Sequence, residues 1–404
     1  MSQTLISPTT VDAVASMTAA DIRAAAQALA PEIEARADQI AELRRLPPDL
    51  VQKLKAAGAY RMLMPRAWGG PEMTPREQCE VIEIYGRVDP SVGWCVMIGS
   101  DSGFFVGYFE EDAARELYSE LDFSFAGSGS AMGRAVRAPG GYVLNGRWPF
   151  GSNINNADVV TAICPVFDGE EPVLADGRPE MIMAAAPAAS FEILDTWRTL
   201  GLAGTGSNDY VAKDLFIPDA HVIRGFPACR PRRPELIYAW PGLFLANVPG
   251  VPLGLARGAI DTVKRIAGQK RQANWTRAGE PLLMKEVPRV RAGVARAEML
   301  LGAARAYVYE SLDRLWDELC RDGEPSRDTR VALAASRQFA LRTAREIAQL
   351  MVDTAGASAI YRTLPLERFL RDAITMCEHW TGQERTLEMI GAVVFGEEPL
   401  HGLV

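Results

Sequence analysis

The sequence is poor in histidine and has no paired cysteine motif. Only three of its 404 residues are histidine. Six cysteines stand at positions 79, 95, 164, 229, 320 and 377, without a CxxC pair or a Cys/His cluster. This spacing offers no metal-ligand pattern and predicts free thiols in a reducing compartment. We therefore expect no metal site, no disulfide and a cytoplasmic location.

The chain also lacks an excess of positive charge and a long apolar run. Its formal net charge is −8, with acidic and basic residues interspersed, which argues against a nucleic-acid partner. The first residues show no basic region followed by an apolar core, so no signal peptide is predicted. No apolar run approaches the roughly 18 residues needed to cross a bilayer. We expect neither a nucleic-acid nor a membrane partner.

Several familiar catalytic and nucleotide-binding motifs are missing. The sequence has no Gly-x-Gly-x-x-Gly between a strand and a helix, no Walker loop, no His-Glu-x-x-His and no Gly-x-Ser-x-Gly elbow. The glycine-rich stretch 201–207 (GLAGTGS) is followed by a strand pattern instead of a helix. Glycines there are expected to serve a turn rather than to hold a phosphate.

The chain does contain a clear order of helices, then strands, then helices. With 48% hydrophobic residues it has ample material for a large core. Apolar residues from Ile22 to Leu43 recur at helical spacing, and long stripes of the same kind cover 287–312 and 329–354. Short strand patterns lie between, including two around Pro139-Gly140-Gly141. We predict an α+β protein with domains at 1–118, 119–235 and 236–404.

One of the three histidines is the main candidate for chemistry. The stretch 364–391 contains His379 among Cys377, Glu378 and Trp380. A side chain that titrates near neutral pH beside an aromatic ring is a candidate proton-transfer group. A single histidine in a helical pattern is also often a satisfied core or surface residue, so position alone leaves both interpretations open.

Three stretches carry a resemblance to a known family. They are 140–158 (GGYVLNGRWPFGSNINNAD), 195–218 (DTWRTLGLAGTGSNDYVAKDLFIP) and 364–379. Together they resemble the flavin-dependent two-component monooxygenases, the group D hydroxylases, of the acyl-CoA dehydrogenase superfamily. The resemblance covers nearly the whole chain. It implies an acyl-CoA dehydrogenase-like fold with an N-terminal helical domain, a middle antiparallel β-barrel and a C-terminal four-helix bundle, assembled as a homotetramer.

The resemblance also implies a set of flavin contacts between barrel and bundle. By position, Ser152 matches a serine near the reactive edge of the flavin, and Ser128 matches another flavin-side residue. Trp148 begins the flavin-facing loop, and Thr196 with Trp197 matches residues that pack along the ring system. Arg271 matches a basic contact to the cofactor phosphate, often made to a neighbouring subunit.

The C-terminal stretch separates two branches of the superfamily. In the dehydrogenases, the catalytic carboxylate lies nine residues past the arginine of an Arg-Asp-Ala motif. Counted from Arg371, that place is Trp380 here, which cannot abstract a proton. His379 stands where the monooxygenases carry a histidine. Glu378 would face elsewhere on a continuous helix. Asp101 stands at about the place of a second histidine found in several hydroxylases.

The implied activity is that of an oxygenase component. A separate NAD(P)H-dependent flavin reductase supplies reduced flavin, either FMNH2 or FADH2, and O2 adds at the flavin C4a position. His379 and Ser152 are expected to hold the resulting C4a-hydroperoxyflavin, and Asp101 to orient or deprotonate the substrate. A small aromatic or heteroatom-containing substrate then takes one oxygen atom. The expected apolar wall consists of Trp94, Phe104, Phe105 and Trp380, although aromatic residues on helices are also common core residues.

Two alternatives remain open from the sequence. One is an acyl-CoA dehydrogenase or another flavin oxidase on the same fold, with Glu378 or Asp101 as the base. The other is a catalytically silent protein that keeps the fold and binds no flavin.

Overall fold

The computed structural model describes residues 16–397, without the side chains of residues 273 and 274. Within that range the first part of the chain is helical. Thr18 and Asp21 form a reciprocal capping box at the first helix, and prolines at the first helical position begin the third, fourth and fifth helices. The helices are α1 (Ala19–Ala35), α2 (Ala37–Leu43), α3 (Pro48–Ala56), α4 (Pro75–Val88), α5 (Pro90–Gly99), α6 (Ser102–Val106) and α7 (Glu111–Leu117).

A nine-stranded sheet follows the helices. The predicted turn at Pro139-Gly140 joins two of its strands, and Gly140 takes a positive φ of 79° that suits glycine. The strands of the middle region are β1 (Phe125–Gly127), β2 (Arg134–Ala138), β3 (Gly141–Gly151), β4 (Val159–Asp168), β5 (Glu171–Pro172), β6 (Leu174–Ala175), β7 (Arg178–Pro179), β8 (Met181–Pro187), β9 (Glu192–Leu194), β10 (Asn208–Pro218) and β11 (Val222–Arg224).

The sheet is mostly antiparallel, as predicted, but not entirely. Its order is β11-β8-β4-β2-β3-β10-β9, with β1 and β5 also pairing β4, while β6 and β7 form a separate hairpin. The pairs β1–β4 and β2–β4 are parallel, which corrects the expectation of a purely antiparallel arrangement. β3 and β10 run antiparallel over most of their length, and Gly151 pairs with Asn208. The residues just beyond this pair, Ser152 and Ser207, therefore lie side by side.

The last part of the chain returns to helices, as the apolar stripes predict. They are α8 (Gly250–Ala267), α9 (Pro288–Asp322), α10 (Arg327–Ala355), α11 (Leu366–Met376) and α12 (Glu384–Val394). α10 packs against the other four and is the centre of this bundle. A hairpin of β12 (Arg271–Arg277) and β13 (Glu280–Leu283) interrupts it, and the helical pattern did not predict that hairpin.

The core consists of one large cluster shared by the helical parts and a second cluster inside the sheet. The segment Pro241–Ala267 is long and apolar enough to cross a membrane, but 89% of the segment's most apolar window is buried in the protein, as in a core helix. The predicted domain limits fall between α7 and β1 and ahead of α8.

Candidate active site

His379 lies on a short turn that follows α11. The helix ends at Met376, and His379 precedes a 3₁₀ turn over Trp380–Gly382. The amide of Gly382 donates a hydrogen bond to the His379 carbonyl at 2.8 Å. The His379 Nδ1 atom lies 2.7 Å from the Thr381 hydroxyl, which fixes the orientation of the ring. A continuous helix through residues 377–380 is therefore the wrong description of this stretch.

Helix α10 packs against this turn. The Cys377 thiol donates to the carbonyl of Leu341 at 3.4 Å. One helical turn earlier, the guanidinium of Arg337 lies 6.0 Å from the centre of the Trp380 ring. The Thr386 hydroxyl, from α12, donates to the Trp380 carbonyl at 2.7 Å. The turn that carries His379 is thus held by α10 and α12.

The imidazole meets a tryptophan and a chain of hydroxyl groups. The rings of Trp94 and His379 make an edge-to-face contact with centroids 5.3 Å apart. The Trp94 indole N–H donates to the Ser152 Oγ atom at 3.1 Å, and Ser152 and Ser207 share a hydrogen bond of 2.8 Å. The Ser207 and Thr205 hydroxyls are 2.7 Å apart. Three distant parts of the chain therefore meet here.

The backbone around Ser152 is strained in a way that sets its direction. Phe150 and Asn153 have φ angles of 60° and 65°, in the left-handed region. Asparagine tolerates that conformation, whereas for phenylalanine it costs on the order of 1–3 kcal/mol. The buried Asn153 holds the loop by donating its side-chain amide to the Phe125 carbonyl and its backbone amide to the Thr205 carbonyl. The strain places Phe150 outward and Ser152 inward.

An apolar surface lies beside this loop. Phe150 is 64% exposed and Leu200 is 54% exposed. The Trp197 ring is half-buried and meets the Phe150 ring edge-on at 6.3 Å. The Trp197 indole donates to the Leu202 carbonyl, and its backbone amide donates to the Asn208 side chain. An ordered, exposed apolar face next to Ser152 is suited to the ring system of a bound cofactor.

The Arg-Asp-Ala motif clamps the loop that carries Trp197. The buried Asp372 accepts a hydrogen bond of 2.6 Å from the Leu202 amide. Gly201 passes so close to the Arg371 carbonyl that a Cβ atom would lie 2.2 Å from that oxygen. Burial, and then the charge of Asp89, raise the pKa of Asp372 to about 7. The motif thus ties α11 to the loop between β9 and β10.

The electrostatics of the site keep His379 neutral. Burial, followed by the positive charge of Arg337, lowers the pKa of His379 to about 4. The ring is half-buried yet strongly desolvated, which indicates that its accessible part faces a recessed cleft. At neutral pH the imidazole is therefore uncharged and can donate or accept a hydrogen bond through Nε2. Nε2 makes no hydrogen bond to the part of the chain that the structure describes.

Asp101 is buried in the core and lies apart from the His379 cluster. Its side chain is 1% exposed, and neither carboxyl oxygen has a hydrogen-bond partner within residues 16–397. Burial raises the pKa of Asp101 well above its usual range, and the nearby amide of Asn247 opposes this only in part. No described contact joins Asp101 to His379, Trp94 or Ser152. Asp101 is a core residue in this geometry, and its role toward a substrate stays a prediction.

Three predicted ligand contacts are core residues. Trp148 is fully buried inside the sheet, stacks on Tyr210 and donates its indole N–H to the Ile163 carbonyl. Phe104 and Phe105 are buried in an aromatic cluster with Phe244. These side chains present no surface to a ligand, so Trp148 as a cofactor contact and both phenylalanines as pocket wall are corrected. Successive side chains of β3 point to opposite faces of the sheet, and Trp148 lies on the face that is buried in the core.

The remaining predicted contacts lie apart from the His379 cluster. Ser128 is buried after β1 and accepts a hydrogen bond from the Ser130 amide. Thr196 is exposed beside Trp197 and donates to Asp209. Arg271 is exposed on the β12–β13 hairpin and donates to the Pro281 carbonyl. Their flavin contacts stay predictions.

The carboxylate required by the dehydrogenase alternative is missing from the cluster. Glu378 is exposed, and its carbonyl binds the Gln383 amide. Among the described residues, the groups that contact His379 are aromatic rings and a hydroxyl. The structure brings together four of the predicted site residues, His379, Ser152, Trp94 and Trp380, and their roles stay predictions.

Sequence reasoning missed four residues of this site: Thr205, Ser207, Thr381 and Arg337. The hydroxyls of Thr205 and Ser207 stand inside the glycine-rich stretch, where they could have been noted as polar groups next to a predicted flavin loop. Thr381 and Arg337 gave no signal, because a threonine after a histidine and an arginine on an amphipathic helix are both common.

Comparison with known proteins agrees with this geometry. The family "Acyl-CoA dehydrogenase, N-terminal domain" matches residues 17–116, and "Acyl-CoA dehydrogenase, C-terminal domain" matches residues 248–384. The chain is 31% identical over 371 residues to the indole-3-acetate monooxygenase of Pseudomonas putida, covering 91% of this chain and 92% of that protein.

A second relative and a solved structure extend the comparison. The chain is 29% identical to the FADH(2)-dependent resorcinol hydroxylase, oxygenase component, of Rhizobium, over 90% of this chain and 91% of the relative. The crystal structure of the HsaA monooxygenase from M. tuberculosis superimposes with a TM-score of 0.84 at 26% identity, covering 96% of this chain and all of that one. The chain therefore belongs to the two-component flavin-dependent monooxygenases of the acyl-CoA dehydrogenase superfamily, as an oxygenase component that uses reduced flavin and O2.

Proposed function

We propose that the protein oxygenates a small aromatic compound in the cleft between Trp94, Ser152 and His379. As an oxygenase component it works with a small-molecule substrate and a separate flavin reductase, which we propose to be NAD(P)H-dependent. The observation that carries the proposal is the neutral imidazole of His379, held edge-on against Trp94 and next to a chain of hydroxyl groups. Such a site supplies hydrogen bonds without a carboxylate base.

The residues present fit a flavin. The exposed ring of Phe150 and the half-buried ring of Trp197 offer an apolar face. Ser152 and His379 offer polar groups at the edge of that face. When bound, reduced flavin supplies the two electrons that activate O2, so that one oxygen atom enters the substrate and the other leaves as water. We propose that Ser152, Thr196 and Trp197 contact the flavin, with Ser128 on the same side.

The chain's own residues position groups and exclude water. Thr381 orients the imidazole through Nδ1, which leaves Nε2 free to hold a proton at the reacting edge. Ser207 and Thr205 relay hydrogen bonds to the Ser152 hydroxyl, so that Ser152 can donate or accept without a change of rotamer. The buried ring of Trp94 and the half-buried ring of Trp380 pack against the imidazole and exclude water from it, which strengthens each of these hydrogen bonds.

We further propose FAD as the flavin and a homotetramer as the assembly. FAD is favoured by the resorcinol hydroxylase relative, whose name specifies FADH(2). An assembly is supported by large apolar side chains left on the bundle surface, including Phe395 at 88% exposed and Met299 at 75% exposed. In a tetramer the exposed hairpin with Arg271 could reach a neighbouring subunit's cofactor phosphate. A monomer in light scattering would contradict this assembly.

We also propose that the protein is cytoplasmic. All six cysteines are free, and four of them are buried. Free thiols suit a reducing compartment. Recovery of the native protein in the periplasmic or secreted fraction would contradict this location.

Anaerobic titration followed by oxygen tests the proposed function. The purified protein is titrated with FADH2 and with FMNH2, then mixed with O2 and a panel of phenylacetate, indole-3-acetate, 1-naphthylacetate and resorcinol. We expect reduced FAD to bind more tightly than reduced FMN, and at least one panel compound to be hydroxylated. Tight retention of oxidised flavin that an acyl-CoA bleaches without a reductase would contradict the proposal.

A further inference from the structure

Within residues 16–397, Arg337 is a buried cation without a counter-ion. Its side chain is 1% exposed in the middle of α10. Its single hydrogen bond runs from Nη1 to the Leu245 carbonyl, at 3.2 Å. The Nε and Nη2 atoms have no partner within residues 16–397. Buried polar atoms are nearly always paired, so two free donors on one buried cation require an explanation.

The charge is retained despite its burial. Burial lowers the pKa of Arg337 to about 10, so the group stays protonated at neutral pH. An unpaired buried charge is costly, and an anion placed beside it would recover much of that cost. Burial is the single cause of this pKa shift, so no carboxylate of the described residues acts on Arg337.

The two free nitrogens form the edge of the guanidinium that suits a carboxylate. Nε–H and the adjacent Nη2–H point in the same direction and can bind both oxygens of one carboxylate. The chain uses this edge elsewhere: Arg61 binds Asp122 through Nε and Nη2, and Arg371 binds Glu367 through the same two atoms. In Arg337 the Nη1 atom is fixed by its hydrogen bond to the Leu245 carbonyl. The Nε and Nη2 edge is therefore held in one orientation, and it has no partner among the described residues.

This edge belongs to the active-site region. The Trp380 ring is a neighbour both of the guanidinium, at 6.0 Å, and of the His379 ring, at 5.9 Å. The charge of Arg337 also acts on His379. The planar edge of the guanidinium matches the two oxygens of one carboxylate, and the neighbouring Trp380 and His379 rings offer contact surface for an aromatic group.

We propose that Arg337 binds the carboxylate of an aromatic acid substrate through Nε and Nη2, so that the ring of the substrate lies against Trp380 and His379. The proposal rests on the proposed function and adds the substrate class, an aromatic ring that carries a carboxylate. It makes Arg337 the residue that separates acids from their neutral analogues.

The test compares acids with their amides. Phenylacetate, indole-3-acetate and 1-naphthylacetate are each paired with the corresponding primary amide, and dissociation constants are measured anaerobically on protein loaded with reduced FAD. We expect the wild-type protein to bind at least one acid about 10- to 100-fold more tightly than its amide, the range given by a charge-assisted hydrogen-bond pair. Arg337→Met should remove this preference, because it weakens the binding of the acid far more than that of the amide.

Two further variants sharpen the result. Arg337→Lys keeps the charge but not the paired donors, so it should retain only part of the preference. Arg345→Met removes an exposed arginine from the same helix and should retain all of it. Because the wild-type comparison alone measures the preference, it stands even if the Arg337 variants do not fold.

Each outcome separates this proposal from the proposed function. If no acid binds the wild-type protein more tightly than its amide, while reduced flavin binds and resorcinol is hydroxylated, then only the carboxylate site is overturned. If Arg337→Met keeps the preference, Arg337 is not the group that recognises the acid. If reduced flavin fails to bind at all, the proposed function fails.

Discussion

His379 shows how one buried imidazole is kept uncharged. Its surroundings are two tryptophan rings, one hydroxyl and a nearby guanidinium, and its pKa is lowered by burial and then by the charge of Arg337. A neutral imidazole has one N–H donor and one lone-pair acceptor. Both are useful for hydrogen bonds to a flavin and to oxygen. The sequence could predict the residue type at this position. It could not predict the low pKa, because Thr381 and Arg337 are placed only by the fold.

The lowered pKa of His379 makes a prediction about stability and pH. In the unfolded chain the ring binds a proton below about pH 6.5, whereas in the folded protein it does so only near pH 4. The stabilisation is therefore complete above pH 6.5 and is lost as the pH falls toward 4. Between pH 7 and pH 5 this contribution should fall by about 2 kcal/mol.

Chemical denaturation at fixed protein concentration measures this effect. From pH 7 to pH 5, the free energy of unfolding should fall by about 2 kcal/mol less in His379→Asn than in the wild-type protein. His221→Asn serves as the control, because it removes another histidine that lies near Glu116, away from the cleft. Equal losses in the wild-type protein and in His379→Asn would show that residue 379 is not buried as a neutral ring.

At the scale of elements, three short connections hold the site. The ends of β3 and β10 place Ser152 beside Ser207, the loop after β9 carries Trp197, and the turn after α11 carries His379. Asp372 links the loop after β9 to the turn after α11, because it lies on α11 and accepts a hydrogen bond from the Leu202 amide. The regular elements act as a frame, and irregular backbone carries the chemistry.

Asp372 should make stability depend on pH in the opposite direction to His379. Its folded pKa is raised to about 7 by burial and by Asp89. The folded state therefore holds a proton that the unfolded chain releases above about pH 4, so stability falls as the pH rises through this range and toward 7. Asp372→Asn keeps the acceptor oxygen for Leu202 without the charge.

We expect Asp372→Asn to gain stability relative to the wild-type protein at pH 8 and to gain less at pH 5. Asp372→Ala loses the acceptor and leaves the buried Leu202 amide unpaired, so it should be destabilised at both pH values by about 1–3 kcal/mol. Thermal melts at the two pH values measure both variants. The same change in stability at pH 8 and pH 5 for Asp372→Asn would show that the carboxyl group does not titrate in this range.

The elements themselves were largely predictable from the sequence. Long apolar stripes predicted α9 and α10, and the turn at Pro139-Gly140 predicted the pairing of β2 with β3. The failures are local and have physical causes. α11 ends at Met376 without a glycine or proline to mark its end. β12 has a mostly polar sequence and β13 has only four residues, so neither shows an alternating pattern.

At the scale of the whole molecule, the site joins all three parts of the chain. Trp94 comes from the first helices, Ser152 and Ser207 from the sheet, and His379 from the last helical part. Contacts between residues so far apart in sequence cannot be derived from local patterns. The resemblance to a known family predicted this convergence for Ser152 and His379. Trp148 and Asp101 are instead buried in the core, which depends on packing that the resemblance does not specify.

The central claim is that the imidazole of His379 directs oxygen into the substrate. The most direct measurement is the amount of hydroxylated product formed per reduced flavin consumed, in the wild-type protein and in His379→Ala, with His221→Ala as the control. We expect His379→Ala to bind reduced flavin and to lose about 10²- to 10⁴-fold in the rate of product formation, because O2 then oxidises the flavin and is itself released as hydrogen peroxide. An unchanged product yield in His379→Ala would contradict the account.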